Sequence, residues 1–343
     1  RMYNDGVIQA IVHLLHENNY NSKTKQYAIG CLCNFTTIPE LRRLIHNDGL
    51  VQELFPFLTD ENLKIREYSV CALANLSIER ENKVRMYDDG VVNRILPLFH
   101  ESNNYYQIQK YTSNCIANLA IEPQLKVRMY NDGIVNELFL QIQTNNSITQ
   151  EYLACALGNL AIEPQNKVRM YNDGVIQAIV HLLHENNYNS KTKQYAIGCL
   201  CNFTTIPELR RLIHNDGLVQ ELFPFLTDEN LKIREYSVCA LANLSIEREN
   251  KVRMYDDGVV NRILPLFHES NNYYQIQKYT SNCIANLAIE PQLKVRMYND
   301  GIVNELFLQI QTNNSITQEY LACALGNLAI EPQNKVRMYN DGV

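Results

Sequence analysis

The sequence contains no tryptophan, and none of its apolar runs approaches the length of a membrane-spanning helix. It has no phosphate-cradling glycine loop, no nucleophile elbow and no cluster of metal ligands, so we expect no enzymatic activity, cofactor or metal. No N-terminal segment resembles a signal peptide. The net charge of −6 over 343 residues is mild, and it gives no reason to expect binding to nucleic acid or insertion into a membrane.

The cysteines indicate a reducing compartment, either the cytoplasm or the nucleus. There are ten, and the first five are Cys31, Cys33, Cys71, Cys115 and Cys155. They lie inside helical patterns rather than at loop positions suited to a disulfide framework. The spacings Cys31-Leu32-Cys33 and His13-Leu14-Leu15-His16 hint at a metal, but no third ligand lies nearby in sequence. We therefore favour buried thiols and partly exposed histidines.

The chain repeats itself at two lengths. Every residue from Arg1 onward reappears 168 positions later, so residues 1–168 and 169–343 form two identical blocks, and the second ends with the start of a further repeat. Within a block, the glycine of an Asn/Asp-Asp-Gly phrase and an asparagine 15 residues before it recur every 41 or 43 residues. These glycines are Gly6, Gly49, Gly90 and Gly133, and the marker asparagines are Asn34, Asn75, Asn118 and Asn159. The length variation falls in the segments 18–22 and 102–106, which we expect to be loops.

Each repeat is predicted to contain three helices, exemplified by Val7–His16, Lys23–Phe35 and Pro39–His46. We call these the first, long and third helix. A first-turn proline begins three of the four third helices of a block, and the glycine that follows can end the third helix in the left-handed conformation. Pro56 and Pro97 fall inside first helices and are expected to kink them.

The repeat resembles the armadillo repeat family. The resemblance rests on Ala72-Leu73-Ala74-Asn75-Leu76, on Asn82-Lys83 and on the glycine 15 residues after the asparagine, and it extends over the whole chain. It implies an all-α fold, a right-handed α-solenoid of about eight armadillo repeats with three helices each, running as one continuous solenoid.

One face of the long helix carries the candidate binding residues. At 100° per residue, positions four and seven before a marker asparagine return to its side, whereas Leu73 and Leu76 belong to a core stripe on the other side. A tyrosine stands seven residues before the asparagine in every repeat. The candidate peptide-binding residues are Tyr27, Asn34, Tyr68, Asn75, Tyr111, Asn114, Asn118, Tyr152, Asn159, Tyr195, Asn202, Tyr236, Asn243, Tyr279, Asn282, Asn286, Tyr320 and Asn327.

The family resemblance implies that these asparagines hydrogen-bond the backbone of an extended peptide in a concave groove. An amide can satisfy both groups of a peptide unit, since it offers a donor and an acceptor. The alternative is that each asparagine ties down its own helix end or a neighbouring loop, and the two roles are compatible. Family members that carry basic nuclear-import cargo have a tryptophan four residues before the asparagine. Here that position holds Gly30, Cys71, Asn114 or Cys155, so we expect basic peptides of this kind to bind poorly.

Two functions therefore follow from the sequence. The first is a protein-interaction scaffold that binds a protein or an extended peptide. The second is a natural or engineered repeat array in which uncapped ends stack head to tail. The origin of the identical duplication stays open.

Overall fold

The computed structural model describes residues 6–16, 21–47, 49–101, 105–143, 147–184, 189–269, 273–311 and 315–342, and in these ranges every regular element is a helix. The segments predicted to be variable loops, 18–22 and 102–106, lie largely outside the described residues. In space the chain divides into two compact units, Arg1–Thr192 and Lys193–Val343. This division does not test the block boundaries, which rest on the sequence.

The long helices are the element around which each unit is built. Their bounds are Ser22–Thr36, Leu63–Leu76, Tyr106–Ala120, Ser147–Leu160, Ser190–Phe203, Leu231–Leu244, Tyr274–Ala288 and Ser315–Leu328. Several begin at an asparagine whose side-chain oxygen accepts a hydrogen bond from the first turn, such as Asn62 from the Lys64 amide at 2.9 Å. In the first unit, consecutive long helices from Ser22–Thr36 to Ser147–Leu160 pack side by side, and Tyr274–Ala288 packs between its two neighbours in the second.

The first helices show the effect of the prolines. Those without proline are Val7–His16, Ile134–Ile142, Val175–His184 and Ile302–Ile310. At Pro56 the helix Leu50–Leu54 changes into a 3₁₀ helix, Phe55–Thr59, and at Pro97 the helix Val91–Ile95 gives way to Leu98–Glu101. The second unit repeats both breaks, with Leu218–Leu222 followed by Phe223–Thr227, and Val259–Ile263 followed by Leu266–Glu269. The expected kinks are confirmed, since proline has no N–H to continue the helical ladder.

The third helices close each repeat. They are Pro39–Asn47, Arg80–Asp88, Pro123–Asn131, Pro164–Asn172, Pro207–Asn215, Arg248–Asp256, Pro291–Asn299 and Pro332–Asp341. Each is followed by a glycine in the left-handed region, with φ of 78° at Gly90 and 79° at Gly133. A residue with a Cβ is strained there, so the recurring glycine is required by the turn.

Core packing follows the stripe that the sequence predicted. Leu32, Leu73, Ile116 and Leu157, two residues before their asparagines, are all fully buried. The residue after the asparagine is also buried in most repeats, as at Leu76 and Leu119. At roughly 25 cal/mol per Å² of apolar area, this burial is the main source of stability.

A second set of contacts links successive third helices. The Tyr87 hydroxyl donates to the Asp132 carboxylate at 2.5 Å, and Tyr255 makes the same bond to Asp300. The Arg128 guanidinium lies 4.8 Å from the centre of the Tyr87 ring. The phrase Val-Arg-Met-Tyr-Asn/Asp-Asp-Gly thus supplies both partners of an inter-repeat contact. The aspartate precedes the turn glycine of one repeat, and the tyrosine belongs to the repeat before it.

Candidate functional site

The marker asparagines tie consecutive repeats together through their amide nitrogens. Asn75 Nδ2 donates to Thr36 Oγ1 at 3.0 Å, and Asn118 Nδ2 donates to Ser77 Oγ at 3.1 Å. In the second unit, Asn243 and Asn286 repeat these bonds with Thr204 and Ser245. The acceptors stand at the end of the preceding long helix, where hydroxyl side chains often bond the backbone of the last turn. These asparagines thus have a structural role, although the bond goes to the end of the preceding long helix and not to the asparagine's own helix end or a loop, as the sequence suggested.

The amide oxygens of Asn75 and Asn118 differ from the amide nitrogens in their hydrogen bonding. Every hydrogen bond that the Asn75 and Asn118 side chains make with other described residues is donated by Nδ2. Both side chains are only partly buried, so Oδ1 keeps its acceptor capacity for another molecule. Asn159 and Asn327 donate to the sulfur of the cysteine one turn earlier, at 3.6 Å. Asn34 is exposed, and Asn202, like Asn114 and Asn282, is half-buried.

The tyrosines seven residues earlier differ in exposure along the chain. Tyr27 is 73% exposed. The others, Tyr68, Tyr111, Tyr152, Tyr195, Tyr236, Tyr279 and Tyr320, are half-buried. The Tyr68 ring covers Gly30 of the preceding helix so closely that a Cβ there would lie 3.3 Å from ring carbon Cε2. In this repeat the residue four before the marker asparagine is thus a glycine, and a tyrosine from the next repeat occupies the space above it.

Lysines of the chain itself lie over these rings. Lys64 Nζ is 5.9 Å from the centre of the Tyr68 ring and 5.6 Å from that of Tyr105, and Lys110 is 5.6 Å from Tyr111. Lys232 and Lys278 repeat the arrangement in the second unit. These distances are within the range of cation–π attraction.

Lys64 is held by an acidic partner as well. Its ammonium lies 2.7 Å from Glu67, which also accepts a hydrogen bond from the Tyr105 hydroxyl at 2.7 Å. The interaction of Lys64 with Glu67, followed by its interaction with the Tyr105 hydroxyl, raises the pKa of Lys64 above its usual range. The lysine stays charged and paired, so a cationic ligand would have to displace it from the rings.

A row of exposed isoleucines stands beside the asparagines, and the sequence reading missed it. Three residues after its asparagine, Ile78 is 45% exposed, Ile121 is 51% exposed and Ile162 is 50% exposed. The N–H of Ile78 donates to the Asn75 carbonyl at 3.3 Å, which places the two residues one turn apart. We define the isoleucine row as Ile78, Ile121 and Ile162 in the first unit and Ile246, Ile289 and Ile330 in the second. The available signal was an isoleucine at the same place in three of the four repeats of each block.

Two buried residues of the third helix hold the ends of the long helices. Asn82 Nδ2 donates to the Leu76 carbonyl at 2.9 Å, and Lys83 Nζ donates to the Asn118 carbonyl of the next repeat at 2.8 Å. Lys126 and Lys251 make the equivalent bonds to Asn159 and Asn286. Burial lowers the pKa of Lys83, since an ammonium loses hydration there, while Glu122 acts in the opposite sense. Asn82 and Lys83 thus hold the ends of the long helices that carry Asn75 and Asn118.

The histidine and cysteine spacings that hinted at a metal site do not form one among the described residues. His16 pairs with Glu53, and Cys33 is a buried free thiol. Across the described ranges, no three His, Cys, Asp or Glu side chains group in a way that could hold a metal ion. No described helix is long and apolar enough to cross a membrane.

Comparison with known proteins identifies the fold. No protein-family model matches the sequence, and no curated protein does. Among solved structures, an engineered protein from the Northeast Structural Genomics Consortium aligns with a TM-score of 0.85 and 24% identity, over 95% of this chain and 79% of that one.

Two designed armadillo repeat proteins also align. One has a TM-score of 0.63 and the other, solved in complex with the peptide (KR)4, has 0.62. Both are 16% identical, and each alignment covers 69% of this chain and 99% of the designed one. These identities show the fold alone, and the fold is that of an all-helical, armadillo-like repeat protein.

Proposed function

We propose that the chain is a non-enzymatic scaffold that binds extended peptide segments along the long-helix face of each unit. The observation that carries the proposal is the pairing, in three repeats of each unit, of an asparagine whose amide oxygen is spare with an exposed isoleucine three residues later. An extended peptide offers N–H groups at regular spacing to the first and alternate side chains to the second. The likeness to a designed armadillo protein solved with a peptide supports this choice of ligand.

The contacts of the tyrosines favour a particular peptide chemistry. Lys64 and Lys110 already cover the rings that a cationic side chain would use. What remains open to a ligand is apolar and amide surface, together with the exposed Tyr27 ring. The peptide should therefore carry apolar side chains and be neutral or acidic rather than basic.

The experiment selects a ligand and then locates it. A phage library of random 12-residue peptides is panned on the full chain, and the affinity of the selected peptides is measured by fluorescence anisotropy. The binding variant replaces the whole isoleucine row by serine. The control variant replaces four exposed leucines outside the isoleucine row by serine, namely Leu44, Leu140, Leu212 and Leu308.

We expect the selected peptides to be rich in apolar residues and their affinity to fall at least tenfold in the isoleucine variant. The leucine control should bind like the parent chain. Equal losses in both variants, or no loss in either, would reject the long-helix face as the binding surface. Circular dichroism of each variant shows whether its fold is kept.

A further inference from the structure

A groove lies between the two proline-broken first helices of the second unit, and its volume is about 560 Å³. The 3₁₀ helix Phe223–Thr227 contributes most of one side, and it packs against the helix Val259–Ile263. The apolar part of the lining comes from Phe223, Pro224, Leu226 and Pro265. The groove is formed by first helices, so it is a different surface from the long-helix face.

The two prolines give this groove an apolar surface that a ligand can reach. Pro224 and Pro265 are both exposed, whereas Leu226 between them in sequence is buried. A proline ring has no rotamer freedom to lose when a ligand covers it, so the contact has little entropic cost. The prolines that break the first helices therefore also supply apolar contact area.

The charge of the groove comes from a single side chain. Among the described residues that line it, Arg262 alone is charged, because Gln220 and Thr227 are polar and neutral. The Arg262 guanidinium lies 4.4 Å from the centre of the Phe223 ring, which is the distance of a stacked cation–π pair. Stacking holds one face of the guanidinium and leaves its N–H edge for an acceptor.

This arginine differs from another ring-stacked arginine of the same unit. Arg296 lies 4.9 Å from the centre of the Tyr255 ring, and its guanidinium is paired with Asp256 at 2.6 Å. Arg262 is exposed, and it has no hydrogen-bond or ion-pair partner within the part of the chain that the structure describes. Its position is thus fixed by the ring, while its charge is not balanced by an acid of the groove.

The first unit repeats the stacked pair. The Arg94 guanidinium lies 4.4 Å from the centre of the Phe55 ring, and Arg94 also has no hydrogen-bond or ion-pair partner among the described residues. The prolines of this unit, Pro56 and Pro97, are exposed as well. Each unit therefore presents the same combination of apolar surface and one unpaired cation.

We propose that this groove is a second ligand site, which binds an acidic, apolar segment of a partner peptide. A glutamate or aspartate carboxylate of the peptide pairs with the N–H edge of Arg262, where two parallel hydrogen bonds can form. The neighbouring apolar side chains of the peptide pack on Pro224, Pro265 and the Phe223 ring. The charge of the groove selects this occupant, since a basic segment would meet Arg262 and find no acid in the lining.

The experiment selects peptides for this groove and not for the rest of the chain. Phage that display 12-residue peptides with one fixed glutamate are first passed over the double variant Arg94→Gln with Arg262→Gln, which removes peptides that bind elsewhere. The remaining phage are panned on the full chain. Selected peptides are made acetylated and amidated, so that only side-chain carboxylates are present, and their affinity is measured by fluorescence anisotropy.

Three further proteins complete the design. The charge-matched control is Arg43→Gln with Arg211→Gln, two exposed arginines of third helices. The second groove variant is Gln52→Glu with Gln220→Glu, which places a carboxylate at the groove without removing the stacked arginine. The serine variant of the isoleucine row reports binding to the long-helix face. Circular dichroism of each protein shows whether its helices are intact.

We expect the affinity of the selected peptides to fall roughly tenfold when the arginines are replaced, and equally when the fixed glutamate of the peptide becomes glutamine. The Gln→Glu groove variant should also bind more weakly, whereas the charge-matched control and the isoleucine variant should bind like the parent chain. The proposal is overturned if no peptide survives the first step, or if the glutamine peptide binds as well as the glutamate peptide. It is also overturned if the charge-matched control or the isoleucine variant loses as much affinity as the arginine variant.

Discussion

At the scale of single residues, asparagine has two different roles in the repeat that contains Asn75 and Asn82. Asn75 is half-buried and ties one long helix to the previous one while its oxygen remains available. Asn82 is 1% exposed and satisfies two backbone carbonyls, those of Leu76 and Arg42. Amide chemistry suits both tasks, and only the burial of the residue distinguishes a structural asparagine from one that can bind a ligand.

Replacing Asn82 by alanine should destabilise the chain by about 2 kcal/mol, because it leaves two buried carbonyls without donors. Asn93, which is exposed on a first helix, is the matched control, and Asn93→Ala should change the free energy of unfolding by less than about 0.5 kcal/mol. Urea denaturation followed by circular dichroism measures both. Equal effects would contradict the role assigned to Asn82.

Two buried histidines should make stability depend on pH. Burial, followed by the charge of Arg85, lowers the pKa of His46, although Asp89 opposes the shift, and burial likewise lowers the pKa of His214. A histidine whose pKa is lower in the folded state binds fewer protons there than in the unfolded chain. Its stabilising contribution is complete above pH 7 and falls as the pH drops below about 6.5.

We therefore expect the urea concentration at the midpoint of unfolding to decrease when the pH is lowered from 7.5 to 5.5. The variant His46→Gln with His214→Gln should show a smaller fall over the same interval, since glutamine does not titrate. If the variant and the parent lose the same stability, the histidines are not the cause. Both proteins need the same ionic strength, so that surface charges contribute equally.

At the scale of the helices, turn chemistry decides where each element ends. Gly90 has φ of 78°, and it links Arg80–Asp88 to Val91–Ile95. Gly326 lies inside Ser315–Leu328, is exposed, and has no neighbouring atom within 4 Å of the place a Cβ would take. The same residue type is thus required at one position and replaceable at the other.

Gly90→Ala should destabilise the chain by about 1 kcal/mol, because a Cβ is disfavoured in the left-handed region. Gly326→Ala should stabilise it by up to about 1 kcal/mol, since alanine loses less backbone entropy in a helix. Thermal unfolding of both variants beside the parent gives the two shifts. Shifts of the same sign would contradict the assignment of these glycines.

Periodicity and turn residues were enough to predict the helices closely. The sequence predicted Lys23–Phe35, and the helix is Ser22–Thr36, lengthened at its start by the Asn21 cap. The prolines and glycines predicted where helices break or end, because their effect on the backbone is also local. The isoleucines recur in the sequence, but their exposure could not be predicted in this way, because it depends on how neighbouring repeats pack and not on any single helix.

At the scale of the whole chain, the two identical blocks present the same side chains twice. Any surface that residues 1–168 offer is encoded again, so partners with repeated segments gain avidity if a linker can span both sites. The net charge of −6 does not by itself repel a basic ligand, and local contacts must decide the specificity. Those contacts include the lysines that lie over Tyr68 and Tyr111.

The peptide (KR)4 should bind the full chain with a dissociation constant weaker than about 10 μM, because Lys64 and Lys110 already occupy the tyrosine faces. Fluorescence anisotropy with labelled peptide measures it at physiological salt, where non-specific attraction is screened. Replacing these lysines and their copies, Lys232 and Lys278, by methionine should strengthen binding. A low-micromolar affinity for the parent chain would show that the tyrosine faces are accessible to cationic side chains.

The central claim, that peptides bind along the long-helix face, is tested most directly by photo-crosslinking. A photoreactive benzoylphenylalanine replaces Ile121 in one protein and Leu140, 55% exposed on a first helix, in another. Each is irradiated with a peptide selected on the parent chain, and the adducts are identified by mass spectrometry. We predict adducts from position 121 and none above background from position 140. Crosslinking from position 140 alone, or equally from both, would contradict the claim.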